Sequence, residues 1–165
     1  MQRRPVIDGL EFARAGSSLL GAWPASDFPR LRDVLHSGSG SIACELEGVP
    51  EVNGRPALRL RLSGALQLTC QRCLDALEFP VHVDATLLLA QAQAEIDAEP
   101  FVAEGPEWIV AHREMQVHSL VEDELLLALP LAPRHERCAG VMAGPHESER
   151  SPFAGLRELI RGGRH

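Results

Sequence analysis

The feature that most limits how this chain can fold is a pair of alternating apolar runs on either side of a Cys-x-x-Cys turn. In the first run Leu58, Leu60, Leu62, Leu66, Leu68 and Cys70 occupy even positions, interrupted at Gly64, while Arg59, Arg61, Ser63, Gln67 and Thr69 occupy odd ones. In the second, Leu77, Phe79, Val81, Val83, Ala85, Leu87 and Leu89 occupy odd positions, with Glu78, His82, Asp84 and Thr86 opposite. Successive side chains of a strand point to opposite faces of a sheet, so a period of two marks a strand with one face in the core. The two runs predict one long antiparallel hairpin over residues 57–90, with Cys70 and Cys73 at its turn end. Gly64 is read as a bulge or bend, and Pro80, on the polar parity, suits an edge or a strand start.

The remaining segments are shorter. Val6 and Ile7 form an extended start, followed by helical pieces that Gly16 and Gly21 keep short. Asp27, Pro29, Leu31, Val34 and Leu35 predict a helix near 27–36, with Asp27 as cap and Pro29 in the first turn. Ile42, Cys44 and Leu46 alternate with Ala43, Glu45 and Glu47 and predict a strand, ended by a turn over 48–56, where prolines, glycines and Asn53 gather. Residues 91–107 carry five acidic and no basic residues and read as an acidic loop. Trp108 to Val110 read as a short strand. Val117, Leu120, Val121, Leu125 and Ala128 form a helical stripe, which Pro130 and Pro133 terminate. A polar segment begins at 134, and Ser151-Pro152-Phe153 opens a closing helix near 152–161.

A chain of 165 residues suits one domain, or one compact domain with trailing arms. A domain of that size buries roughly 70% of its unfolded surface and needs neither disulfide nor metal merely to fold. The longest apolar run, Leu125 to Leu129, is far short of the ~20 residues of a membrane helix. No apolar stretch follows the N-terminal arginines, as a signal peptide requires, so the cytoplasm is the expected compartment. Acidic residues outnumber basic ones by 23 to 16, a net charge of −7. An extended nucleic-acid groove is usually basic, so any RNA contact here must be local. All basic residues other than histidine are arginine, which fits either codon bias or selection for bidentate contacts to phosphate and carboxylate.

Four residues carry metal-binding chemistry. Cys70 and Cys73 form one half-site and His135 and Cys138 a second, together a Cys3His set of the kind zinc accepts in structural sites. The open alternatives are ordinary buried thiols and a redox pair, although a redox Cys-x-x-Cys normally opens a helix rather than joining two strands. Cys44 lies on the apolar parity of its strand and reads as an inert buried thiol. Glu122-Asp123-Glu124, with His118 one helical turn earlier, reads either as a solvated helix face or as the carboxylates of a hydrolase. Burial of the triplet in a cleft with a histidine favours the enzyme; an open face favours a non-enzymatic role. No nucleotide-binding loop, nucleophile elbow or zinc-protease motif is present. Arg59, Arg61 and Arg72 concentrate positive charge on the predicted sheet and are the candidate contacts for RNA or a partner.

Three stretches together carry a family resemblance: Leu68-Thr-Cys-Gln-Arg-Cys-Leu74; Val121-Glu-Asp-Glu-Leu-Leu-Leu-Ala-Leu-Pro130 with Pro133-Arg-His-Glu-Arg-Cys138; and Ser151-Pro-Phe-Ala-Gly-Leu156. The chain resembles the YceD family, the large ribosomal RNA subunit accumulation proteins, along nearly its whole length. That resemblance implies a role in the synthesis, processing or stability of 23S rRNA and implies no known catalytic activity. Some relatives carry extra cysteines near the C-terminus, where this chain has only His135 and Cys138.

The resulting expectation is a single YceD-like domain over 1–165, with the acidic loop at 91–107 and the polar segment from 134. Its fold class is α+β, a mostly antiparallel sheet with a long central hairpin and several flanking short helices. Its expected role is that of a non-enzymatic factor in large-subunit biogenesis, with a structural zinc as the one cofactor. The expected partners are large-subunit ribosomal or assembly proteins, and 23S rRNA through local contacts, with no membrane and no small-molecule substrate. The alternatives are a metal-dependent or nuclease-like enzyme acting on rRNA and a general zinc-knuckle interaction module.

Overall fold

The computed structural model describes residues 4–99 and 105–138, so the predicted helix near 152–161 lies outside the described residues. The chain is α+β. Its elements are β1 (Val6–Ile7), α1 (Gly9–Arg14), β2 (Ser18–Pro24), two 3-10 turns (Ala25–Asp27 and Pro29–Leu31), β3 (Ser41–Val52), β4 (Arg55–Thr69), β5 (Ala76–Ala90), α2 (Gln93–Asp97), β6 (Glu107–Val110), β7 (Met115–Gln116) and α3 (Val117–Ala128). The main sheet runs in the order β2-β3-β4-β5-β6, antiparallel except for the parallel β5–β6 pair. A small antiparallel pair, β1 with β7, ties the N-terminal segment to the start of α3.

The hairpin of β4 and β5 is the spine of the molecule. Its ladder runs unbroken from Ala57 opposite Leu88 to Thr69 opposite Ala76. The even leucines of β4 and the odd apolar residues of β5 share one face, because Leu60 pairs with Ala85 and Leu62 with Val83. That face meets Ile42, Cys44 and Leu46 of β3 and is covered by Trp23, Phe28, Leu31 and the Val117, Val121 and Leu125 stripe of α3. Leu120 of the predicted stripe packs at the margin of this core. The opposite face pairs Glu45 with Arg61 and Glu47 with Arg59 across β3 and β4, the polar side of the alternation. Pro80 lies where β5 has β4 on one side and, among the described residues, no strand on the other, so its missing N–H interrupts no ladder there.

Three expectations are corrected. The expected turn over 48–56 contracts to Asn53 and Gly54. Both have positive φ (52° and 81°), the backbone of a two-residue hairpin turn whose twist matches the strands it joins. The prolines are accommodated because the register shifts between Val49 and Val52, leaving Pro50 in the irregular stretch. Gly64 is no bulge: pairing is continuous through it to Ile42 and to Val81. Its φ of 155° and a Ser41 carbonyl 2.2 Å from where a Cβ would stand explain the glycine. The helix expected near 27–36 is only the short turn Pro29–Leu31. The chain then pairs with the end of β4, His36 N–H donating to the Gln67 carbonyl (2.7 Å) and Thr69 N–H to the Val34 carbonyl (3.1 Å).

Two further differences are local. Leu19 and Leu20, read with the helical pieces, belong to β2, the outer neighbour of β3. The acidic 91–107 stretch contains the short helix α2, whose Glu95 pairs with Arg55, and Arg55 also lies over the Trp108 ring.

Candidate metal centre at the hairpin tip

Between β4 and β5 the chain reverses in a turn that its own backbone closes. Leu74 N–H donates to the Cys70 carbonyl (2.9 Å) and Cys70 N–H to the Asp75 carbonyl (3.0 Å). Leu74 sits at φ 64°, a left-handed conformation that few residues other than glycine adopt. The segment after α3 is brought to this tip by Gln71 N–H, which donates to the Pro133 carbonyl (2.8 Å). There the ligand atoms of Cys70, Cys73, His135 and Cys138 all lie within 4.8 Å of one another.

The spacing matches a tetrahedral site. Zinc at ~2.3 Å from sulfur and ~2.0–2.1 Å from nitrogen requires sulfur–sulfur edges of roughly 3.8 Å and sulfur–nitrogen edges of roughly 3.5 Å. The Cys70 and Cys138 sulfurs are 3.7 Å apart, and His135 Nδ1 lies 3.3 Å from Cys73 Sγ and 4.0 Å from Cys138 Sγ. The far side of the imidazole is also prepared. His135 Nε2 is 3.0 Å from the Ala76 carbonyl, which can only accept, so Nε2 carries the hydrogen. In the neutral ring Nδ1 is then left to coordinate, the outer-shell arrangement usual for a metal-bound histidine.

Electrostatics divide the thiols. The Cys73 backbone amide, then the backbone amides of His135 and Arg72, pull Cys70 down to about 5, outweighing the cost of burial. Cys73 receives help from the Asp75 amide, yet burial and the nearby Cys70 and Cys138 push it up to about 11. Three thiols this close cannot all ionise without a compensating cation. Hydrogen bonds to Cys138 and then Cys70 raise His135. Cys44 stands apart: it is buried in its strand, and desolvation pushes it up to about 12, as an inert thiol requires.

The three candidate contact arginines have partners. Arg59 donates to both Asp84 carboxylate oxygens (2.9 and 2.8 Å). Arg61 lies within 3.0 Å of Glu45 and 3.8 Å of Asp84. Arg72 donates from Nε to Cys138 Sγ (2.9 Å) and from its terminal nitrogen to the His135 and Glu136 carbonyls (3.0 and 3.4 Å). The engagement of Arg72 with the second half-site was not read from the sequence. Its only signal there is an arginine inside the Cys-x-x-Cys pair.

Of the Glu122-Asp123-Glu124 triplet only Asp123 is exposed, so it is not the fully solvated face that one reading of it required. Glu122 is 4% exposed, Glu124 6% and His118 3%. Glu122 accepts from the Arg30 amide (2.7 Å), and Asp123 pairs with the Arg30 guanidinium. His118 stacks on Phe28, its ring centroid 4.7 Å away, and meets Trp23 edge-on. Two surface hollows among the described residues, one against β2–β5 and one beside α1, are lined by other residues.

Among known families, residues 58–159 match the model described as Large ribosomal RNA subunit accumulation protein YceD. The match begins in β4 and takes in all four residues of the cluster at the tip, Cys70, Cys73, His135 and Cys138. No solved structure matches the chain.

Proposed function

The chain belongs to the YceD family of large ribosomal RNA subunit accumulation proteins, and from that premise we propose that it is a non-enzymatic, cytoplasmic factor in large-subunit biogenesis. It supports synthesis, processing or stability of 23S rRNA by engaging a ribosomal or assembly protein. The observation that carries the adaptor reading is the pairing of the arginines. Arg59 and Arg61 face Asp84 and Glu45, and Arg72 is turned to Cys138. Little positive charge is left on this surface for phosphates, in a chain of net charge −7. Any contact with 23S rRNA through Arg59 and Arg61 is then local. The Cys70, Cys73, His135 and Cys138 set holds a structural zinc, which joins the hairpin tip to the segment after α3.

The test combines binding and zinc analysis. Affinity for 23S fragments is measured at several salt concentrations, where log affinity falls by ~0.7–0.9 per phosphate contacted per decade of salt. Weak binding with a shallow slope, recovery of large-subunit proteins in a pull-down and a lowered 23S to 16S ratio in cells without the protein are expected. Tight binding with a steep slope overturns the adaptor reading. Protein purified without chelator carries one zinc per chain; its absence overturns the metal.

Burial of His118, Glu122 and Glu124 meets half of the condition set for a second reading, a metal-dependent or nuclease-like enzyme acting on rRNA, the other half being a cleft beside them. Glu122→Gln protein that folds and accumulates normally but fails to restore 23S rRNA, together with cleavage of a 23S precursor by the purified wild type alone, supports that reading over the first.

A further inference from the structure

The side chain of Arg72 projects from inside one half of the candidate metal centre and grips the other half. Its Nε donates to Cys138 Sγ at 2.9 Å, while a terminal nitrogen reaches the carbonyls of His135 and Glu136 at 3.0 and 3.4 Å. The same residue lies between Cys70 and Cys73, so a single guanidinium spans half-sites more than sixty residues apart. Other ties at this junction are Gln71 N–H to the Pro133 carbonyl, His135 Nε2 to the Ala76 carbonyl, and the contacts among the four cluster residues, Cys70 Sγ with Cys138 Sγ and Cys73 Sγ with His135 Nδ1.

From this geometry we propose that Arg72 is a positioning residue for the metal: it holds Cys138 and the 135–138 segment closed on the Cys-x-x-Cys turn and governs how tightly and how long zinc is kept. The proposal rests on the zinc reading above. Its physical basis is charge and shape. A zinc ion with three thiolates and a neutral imidazole carries a net charge of −1, and a guanidinium beside one sulfur offsets it without losing its proton. The planar fork can address a sulfur and carbonyls at once, whereas an ammonium is a compact point charge. Pre-arranging Cys138 before the ion arrives lowers the ordering cost of binding, and removing such outer-shell partners typically weakens metal affinity ~10–100-fold. On this assignment Arg72 is not spare charge for an RNA phosphate.

The test uses the full-length protein with Arg72→Ala and Arg72→Lys. Zinc affinity is measured by competition with a chromophoric chelator, the release rate by chelator challenge, and the ligand set from the visible spectrum of the cobalt(II) form. For Arg72→Ala we expect affinity lowered by ~10–100-fold, faster release, and cobalt bands that still report three thiolates. Arg72→Lys should recover part of the loss, because charge returns without the fork. Arg72→Ala that matches wild type in affinity and release overturns the proposal. So does a loss in Arg72→Ala that is equalled by a fall in stability of the metal-free protein, since that marks a merely structural contact. Wild-type protein that takes up neither zinc nor cobalt defeats the metal reading itself, and which protein fails tells the two outcomes apart.

Discussion

Glu124 meets an environment unlike that of an ordinary helix-surface carboxylate. Burial, then the nearby Glu107 and Asp123 charges, push it up to about 7 from the usual carboxylate value. An acid whose folded value is raised binds a proton in the native state that the unfolded state has already released. Stability from this group therefore falls as pH rises from about 4.5 to 7 and levels off above that. His118 acts in the opposite direction, because burial, then Arg4, lowers it and the unfolded state takes up the proton first as pH falls below 6.5. The two are separated by difference. The stability of Glu124→Gln minus that of wild type should climb between about pH 4.5 and 7, by up to ~3 kcal/mol, and be flat above. Denaturant titrations across that range check it, and a flat difference would mean that Glu124 is solvated. The acidic triplet was visible in the sequence, but the burial of Glu122 and Glu124 was not. What binds Glu122 and Asp123 is Arg30, ninety-two positions from Glu122.

Among the elements, α3 shows how far pattern alone carries. Its observed span, Val117–Ala128, is that of the predicted stripe, and Val117, Val121 and Leu125 are its buried apolar residues. Leu125 is fully buried, so Leu125→Ala should cost about 2–5 kcal/mol, read from the shift in a urea or guanidinium midpoint. A near-neutral result would mean that the helix is not packed on the sheet. The segment near 27–36 shows the limit. Its capping signals were sound in isolation, yet a longer helix there would forfeit the hydrogen bonds from His36 to Gln67 and from Thr69 to Val34. Leu31 is fully buried even so, because the burial of an apolar side chain does not depend on the helix that was expected to present it.

At the scale of the whole molecule, the proposed zinc is the test of how its parts are joined. Stripping zinc with a chelator should increase hydrogen exchange at 70–76 and 131–138 while the paired interior of β3, β4 and β5 keeps its protection, because the strands are held by ladder and core and the tip by the ligands. Equal exchange with and without chelator would mean that the tip closes by itself. The legible part of this protein is the part governed by near neighbours. Alternation over 58–70 and 77–89 determined two strands, their faces and the turn between them, since a period of two admits no other half-buried arrangement. The Cys-x-x-Cys and His-x-x-Cys spacings likewise determined two half-sites of matching chemistry. What only the tertiary structure decided was which distant groups meet. It spends Arg59 and Arg61 on Asp84 and Glu45, turns Arg72 onto Cys138, and buries Glu122 beneath the Arg30 amide. Those outcomes depend on strand order and on the path of the chain after α3. No local period encodes them, because a hydrogen bond or ion pair forms wherever packing leaves two partners within about 3 Å, however far apart they stand in the chain.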